Sequence, residues 1–346
     1  MITRKIWIDA AKGLCMILVV LRHSTLWIED QFNEGPATFW WQVSEFLSPI
    51  RMPLFFLISG YLVANALRRP LSQSRARTYG MMYIYMFWTA LFLLRLWIPS
   101  PGGGEHPSWG NFFLAVILPT SFWYLWALAF YFLLCWGFQR VLGKSAVWLA
   151  IPLFALAFFT PSLNDFFVPL IPQPLDALKV GSITQNFIWY FAGAFGRPVF
   201  DRMMESTSAL KASGWGLFYV AAYAGAASFE LQGVLHPLLS LIAIVAIAYL
   251  IPLIPLNGPI SKLCSWIGRQ TLPVYIFHIF GISAISLIVK AVGLDSLIIN
   301  HMGIASSVIP PLLTVLLVSI SMLMGTIILG SRARFLFNPA WLKARQ

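Results

Sequence analysis

Residues 6–28 read IWIDAAKGLCMILVVLRHSTLWI, and this stretch decides the architecture. It is long and apolar enough for one helical crossing of a bilayer, which takes about 20 residues. Yet it contains Asp9, Lys12, Arg22 and His23, groups that cost about 3 kcal/mol or more each at the bilayer centre unless they are paired or hydrated. Arg4 and Lys5 ahead of it imitate a signal peptide. The run has no small-residue cleavage site, however, and Lys12, Arg22 and His23 interrupt it. It reads as an uncleaved first transmembrane helix that holds expensive groups for a purpose.

Working outward, comparable apolar runs recur along the whole chain. Spans are expected at 6–28, 48–66, 79–98, 120–139, 146–160, 183–197, 212–228, 237–254, 271–290 and 305–329. The stretch 109–118 is apolar but short, which suits an interfacial or re-entrant segment or the start of the next helix. The composition agrees: 59% of the 346 residues are hydrophobic and 10% charged, with a mean hydropathy of +0.78. A soluble domain carries about 25% charged residues, so there are too few charges here to cover a water-facing surface. The expectation is an all-α, polytopic integral membrane protein of about ten transmembrane helices, forming one domain over residues 1–346.

Charge placement sets the orientation. Arg4/Lys5, Arg68/Arg69/Arg75/Arg77, Arg140/Lys144, Arg197/Arg202/Lys211, Lys262/Arg269 and Arg332/Arg334/Lys343/Arg345 fall in one set of alternate loops. Glu29, Asp30, Glu34, Glu45, Glu105, Asp165, Asp176, Glu230 and Asp295 fall in the other. The basic set is cytoplasmic by the positive-inside rule, which puts both termini inside and requires an even number of spans. The net charge of +11 is thereby accounted for by topology and needs no nucleic acid as partner. The outer segment 29–47, with Trp40, Trp41 and Phe46, suits the membrane interface. Cys15, Cys135 and Cys264 have neither metal nor redox spacing and read as buried apolar residues. No metal is expected.

Ionisable groups inside the membrane are where chemistry is sought. At 100° per residue Lys12 and His23 fall about 20° apart on the helix, separated by about 16 Å along its axis. Asp9 and Lys12 are i,i+3 neighbours that can pair. The stripe offers a cation near the cytoplasmic end and an imidazole deeper in, an arrangement suited to a long anionic ligand entering from inside. The plainer alternative is an interfacial Asp9–Lys12 pair with Arg22 reaching the outer headgroups. The second span begins Arg51-Met52-Pro53 and continues through Phe55-Phe56-Leu57-Ile58-Ser59-Gly60-Tyr61. Its Ser59-Gly60 pair suits either a polar contact or close helix packing. The loop from Arg68 to Arg77 concentrates arginines, whose fork matches phosphate. His278, with Tyr275 three residues before it, is a second membrane histidine. A Gly-rich phosphate loop, HExxH, CxxC and GxSxG are all absent from the sequence, which argues against a soluble-type hydrolase or metalloprotease.

At these positions the chain resembles the bacterial membrane acyltransferase-3 family. The resemblance rests on Asp9-Ala10-Ala11-Lys12-Gly13 with His23, and on Arg51-Met52-Pro53 through Phe55-Phe56 to Ser59-Gly60-Tyr61. The basic loop with Arg75 and Arg77, the aromatic run Phe122–Trp126, and a late Tyr275…His278 motif one residue shorter than the family pattern add to it. It covers about residues 7–330. Lys12 stands where the family usually has Arg, so the charge is kept without the bidentate fork.

The resemblance implies transfer of an acetyl or other short acyl group from cytoplasmic acetyl-CoA (or another acyl-CoA) to a hydroxyl of a cell-surface glycan or lipid-linked saccharide. The setting it implies is the bacterial inner membrane. His23, Asp9 and Arg51 are then the expected catalytic group, with His23 as general base or transient acyl carrier. Lys12, Arg75, Arg77, Ser59, Tyr61 and His278 are the expected donor-binding group. Partners are acyl-CoA, the glycan acceptor and membrane lipid, with a homo-oligomer or polysaccharide-biosynthesis proteins as further candidates. The competing class is a multi-span transporter or flippase, or a non-catalytic subunit, of a polysaccharide export system.

Overall fold

The computed structural model describes residues 6–32, 38–95, 108–160 and 178–337. Among these residues every regular element is helical. Fourteen α-helices follow in order: α1 (Ile6–Phe32), α2 (Phe39–Phe46), α3 (Ser48–Val63), α4 (Tyr79–Leu94), α5 (Trp109–Ile117), α6 (Trp123–Leu142), α7 (Ala150–Phe158), α8 (Val180–Glu205), α9 (Ala209–Ser228), α10 (His236–Leu250), α11 (Pro259–Gly268), α12 (Thr271–Val292), α13 (Asp295–Asn300) and α14 (Met302–Gly330). The expected outer-loop residues 99–107 and 161–177, and Arg4, Lys5, Lys343 and Arg345 of the termini, lie outside the described residues.

The chain is an all-α, multi-pass membrane protein. Among the described residues four helical stretches are long and apolar enough to cross a bilayer: Trp123–Phe158, His236–Leu253, Thr271–Val292 and Met302–Gly330. A fifth arises if α2 and α3, bent by 43° at their junction, count as one span. Each of the ten expected spans overlaps a helix. Outside this set, α4 is only 16 residues long, and α1 carries Asp9, Lys12, Arg22 and His23. The 146–160 span begins as a 3-10 turn, Gly143–Leu149, before α7. Gly143 causes the break, because it caps α6 at φ 56°, a conformation that glycine adopts without a Cβ clash. Gly293 (φ 70°) ends α12 in the same way.

The residues group into two compact units, and the division falls within α3 after Phe55. The first unit holds residues 1–55, 203–225 and 239–332. Its centre is α1 packed against α11, α12 and α14. The α1–α11 contact is the tightest, and its cause is reciprocal. A Cβ on Gly13 would lie 1.8 Å from the Cys264 carbonyl oxygen, and one on Gly268 would lie 1.8 Å from that of Asp9. Only glycine at both positions lets the two backbones approach so closely. The first pairing joins position 13 to 264 and the second 9 to 268, so the helices run antiparallel. By contrast α1 and α12 run parallel, with His23 beside His278 and Trp27 beside Ser286.

Helix α2 is capped by Thr38, whose hydroxyl accepts from the Trp41 amide. It is tied to α14 by Trp40, whose Nε1 donates to the Ser307 carbonyl at 2.7 Å. Pro311 explains that acceptor. It has no N–H to return to residue 307, so the helix itself leaves the carbonyl open.

The second unit holds residues 56–202, 226–238 and 333–346. Here α3 and α8 meet through another glycine pair. A Cβ on Gly60 would lie 1.9 Å from the Tyr190 carbonyl oxygen, and one on Gly193 would lie 2.0 Å from that of Leu57. Phe56, Tyr131 and Phe187 pack through this core with tilted rings. The basic loop forms a 3-10 segment, Leu71–Arg77, and Trp136 of α6 donates to the Arg69 carbonyl just before it at 3.0 Å.

Candidate functional site

In the first unit α1 and α12 bring two imidazoles together. The His23 and His278 rings lie 5.2 Å apart, centroid to centroid, inclined at 47°. His278 is fully buried, and its Nδ1 lies 2.8 Å from the Val274 carbonyl one helical turn back. A carbonyl only accepts, so Nδ1 carries the proton, and the neutral ring presents a bare lone pair at Nε2. That Nε2 has no hydrogen-bond partner among the described residues. A buried polar atom left without any partner costs about 1–3 kcal/mol, so this lone pair is open to a water or a ligand. Tyr275 packs 6.1 Å from the same ring.

Above the pair lies a cleft of about 300 Å³. One wall is the α1 face His23, Leu26, Trp27 and Asp30; the other is the α12 face Ile279, Ile282, Ser283 and Ser286. Both faces follow the i, i+3, i+4, i+7 rule, which is how two parallel helices line a common channel. Trp27 Nε1 donates to Ser286 Oγ at 2.6 Å and fixes the wall. Asp30 falls within about 20° of Lys12 and His23 on the helix, about 10 Å beyond His23. Lys12, His23 and Asp30 thus form one stripe of cation, imidazole and carboxylate.

Arg51 is buried and donates to Ser44 Oγ at 2.8 Å, which joins α3 to α2. Arg22 pairs with Glu45 at 3.2 Å and lies 4.0 Å above the Trp41 ring. It therefore serves as an anchor for α2. Asp9 is buried and faces Arg269 Nε at 3.8 Å, a partner contributed by the end of α11 and not visible in the i,i+3 spacing. Lys12 and His23 are half-buried, and the Arg269 side chain is 57% exposed.

The remaining expected residues belong to the second unit. Ser59 Oγ and Tyr124 Oη share a hydrogen bond of 2.8 Å. Tyr61 is buried and donates to Asp201 Oδ1 at 2.6 Å. Arg197 closes that cluster, 3.6 Å from Asp201 Oδ2 and 4.4 Å above the Tyr61 ring. Arg75 is exposed and Arg77 half-buried in the 3-10 segment. Sequence reasoning missed Arg269, Asp201, Arg197 and the serines of α12. Only Ser283 and Ser286 left a signal, since they share one helical face with Ile279.

Two parallel helices that set adjacent imidazoles beside a cleft lined by His23, within a bundle of apolar spans, define a class: a multi-pass membrane protein with ionisable groups among its helices. The particular family follows from comparison. The acyltransferase-3 family, described as "Acyltransferase domain", matches residues 5–330. The chain belongs to this family. It is also similar to the "Inner membrane protein YcfT" of Escherichia coli (strain K12), with 28% identity over 232 residues, 58% of this chain and 59% of that one. The match thus spans about six tenths of the curated relative's length. No solved structure matches the chain.

Proposed function

We propose that the chain is an O-acyltransferase of the bacterial inner membrane. It moves an acetyl or other short acyl group from cytoplasmic acyl-CoA to a hydroxyl of a cell-surface or periplasmic carbohydrate. Family membership supports acyl transfer in general. The observation that carries the specific reading is His23 at the floor of the cleft with His278 packed behind it. The His278 tautomer is fixed by its bond to Val274, so its ring can hold or exchange a proton without reorienting. Neutral His23 takes the proton of the acceptor hydroxyl, a role suited to an imidazole near neutral pH. The acceptor oxygen then bonds to the thioester carbonyl carbon, the carbon–sulfur bond breaks, and the proton returns to the departing thiolate.

The residues at the inner end fit an anionic nucleotide. Half-buried Lys12 and the exposed face of Arg269 are cations at that end of α1 and α11. Arg75 and Arg77 are the further candidates for its phosphates. Asp9 holds Arg269 in place, Arg51 fixes the outer end of α3, and Ser59 and Tyr61 brace the second unit through Tyr124 and Asp201. In this reading ten spans place both termini in the cytoplasm, and both units act as one domain. The bacterial inner-membrane setting accords with the printed name of the Escherichia coli relative.

The test is His23→Ala in cells lacking the native copy, with surface glycans analysed by mass spectrometry. Acyl modification is expected to disappear at wild-type expression. Modification at the normal rate would remove His23 from the chemistry. In the purified protein Lys12→Ala is expected to raise the acyl-CoA KM while Lys12→Arg preserves it; an unchanged KM in the alanine variant would take Lys12 out of the donor site.

A further inference from the structure

The cleft above the histidines has more chemistry than a proton transfer needs, and that surplus lies toward its mouth. Asp30 is exposed there, and Ser283 and Ser286 face it from α12. Because Ser286 Oγ accepts the Trp27 indole N–H, its own hydroxyl proton is left to donate outward. Trp27 and Ile279 supply apolar wall between these polar groups. Such alternation matches a sugar ring, with C–H faces against apolar side chains and hydroxyl edges against carboxylate and serine. A volume of about 300 Å³ is at the small end of ligand sites, room for one glycosyl unit and not a chain of them. His23 at the floor and Asp30 at the mouth lie about 10 Å apart along α1, so a ring that offers a hydroxyl to His23 has its opposite edge near Asp30.

We propose that this cleft is the acceptor subsite and that Asp30 determines its specificity, favouring a neutral or amino-bearing glycosyl unit over an acidic one. The inference rests on the acyl-transfer reading above. An ionised carboxylate only accepts hydrogen bonds, so it pairs with sugar hydroxyls or an ammonium and repels a uronate. Like charges brought into direct contact at a binding site disfavour the wrong partner by about tenfold or more. Lys290 is exposed one turn beyond Ser286 but is not part of the lining, so it serves as a control.

The test uses the full chain in nanodiscs with acetyl-CoA as donor. Methyl β-glucoside, methyl β-glucosaminide and methyl β-glucuronide are the acceptor probes, and the O-acetylated product is measured by mass spectrometry. The wild type is expected to use the glucuronide with a kcat/KM at least about tenfold below the other two. Asp30→Asn is expected to raise the glucosaminide KM about tenfold, leave kcat within about twofold, and shrink the discrimination against the glucuronide to below about threefold. Lys290→Gln is expected to preserve the wild-type ranking.

A wild type that uses the glucuronide as well as the glucoside overturns the proposal. So does a ranking unchanged in Asp30→Asn; if His23→Ala is inactive in that case, the acyl-transfer reading stands alone. Transfer that persists in His23→Ala with a ranking still dependent on Asp30 overturns the role of His23 and keeps the subsite. Absence of transfer to all three probes overturns both.

Discussion

Gly13→Ala is the sharpest perturbation of the first unit. The added Cβ would stand 1.8 Å from the Cys264 carbonyl oxygen, 2.7 Å from its carbon and 2.9 Å from the Gly268 nitrogen. Ordinary contact begins at 3.4 Å, so the nearest atom must retreat by 1.6 Å, the difference of those two values. All three obstacles are main chain, so no rotamer change relieves them and α11 must shift as a body. Overpacking of this kind costs about 1–3 kcal/mol, and a rigid obstacle puts Gly13→Ala at about 3 kcal/mol, a melting-temperature loss of the order of 5 °C. The assay is thermal stability of detergent-solubilised protein followed by size-exclusion chromatography.

Two controls bracket that value. At Gly281 the obstacle is the end of a side chain, Leu317 Cδ2 at 2.5 Å, and Gly281→Ala is expected to cost less than about 1 kcal/mol. At Gly216 nothing lies within 4 Å, and alanine is expected to be neutral or to stabilise the helix by up to about 1 kcal/mol. The reciprocal glycine adds a second criterion. Once Gly13→Ala has separated the helices, Gly268→Ala meets little further resistance, so the double variant should fall well short of the sum. A Gly13→Ala protein melting within 1 °C of wild type (about 0.6 kcal/mol), or strict additivity in the pair, refutes the close α1–α11 contact.

Two other outcomes follow from particular bonds. Trp40→Phe removes the donor to the Ser307 carbonyl and is expected to cost about 1 kcal/mol; Pro311→Ala gives that carbonyl an intrahelical partner, so Trp40→Phe should cost measurably less in the Pro311→Ala background by the same melting assay. His278→Ala removes the ring beside His23 and is expected to lower kcat by about 100-fold with the acyl-CoA KM unchanged in steady-state acetyl transfer, whereas equal rates would leave His278 as packing alone.

Helix positions were legible in the sequence because apolar runs of bilayer length are a one-dimensional signal, and each expected span meets a helix. The extra helices α11 and α13 were not. They are short, and α11 owes its place to two glycines whose meaning depends on each other across the fold. His23 stood out because an imidazole in an apolar run is costly wherever it faces. His278 was noticed, but its distance to His23 depends on α1 and α12 running parallel, which spacing does not encode. Asp9 showed only its local neighbour Lys12, since Arg269 arrives from a distant segment. Tyr61 was visible as a motif residue, yet its bond to Asp201 requires α3 and α8 to be packed at Gly60 and Gly193.

The parallel course of α1 and α12 has a consequence for biosynthesis. Helices that run the same way cannot be joined by a hairpin, and here some 240 residues of chain lie between them, from Phe32 to Thr271. The ribosome must therefore finish most of the polypeptide before the second imidazole can reach the first. Until then His23 sits in the bilayer, or in the insertion machinery, without the α12 wall that later faces it. Slowing translation upstream of residue 271 would prolong that exposed interval, so the yield of assembled protein, more than its final stability, should register such a delay.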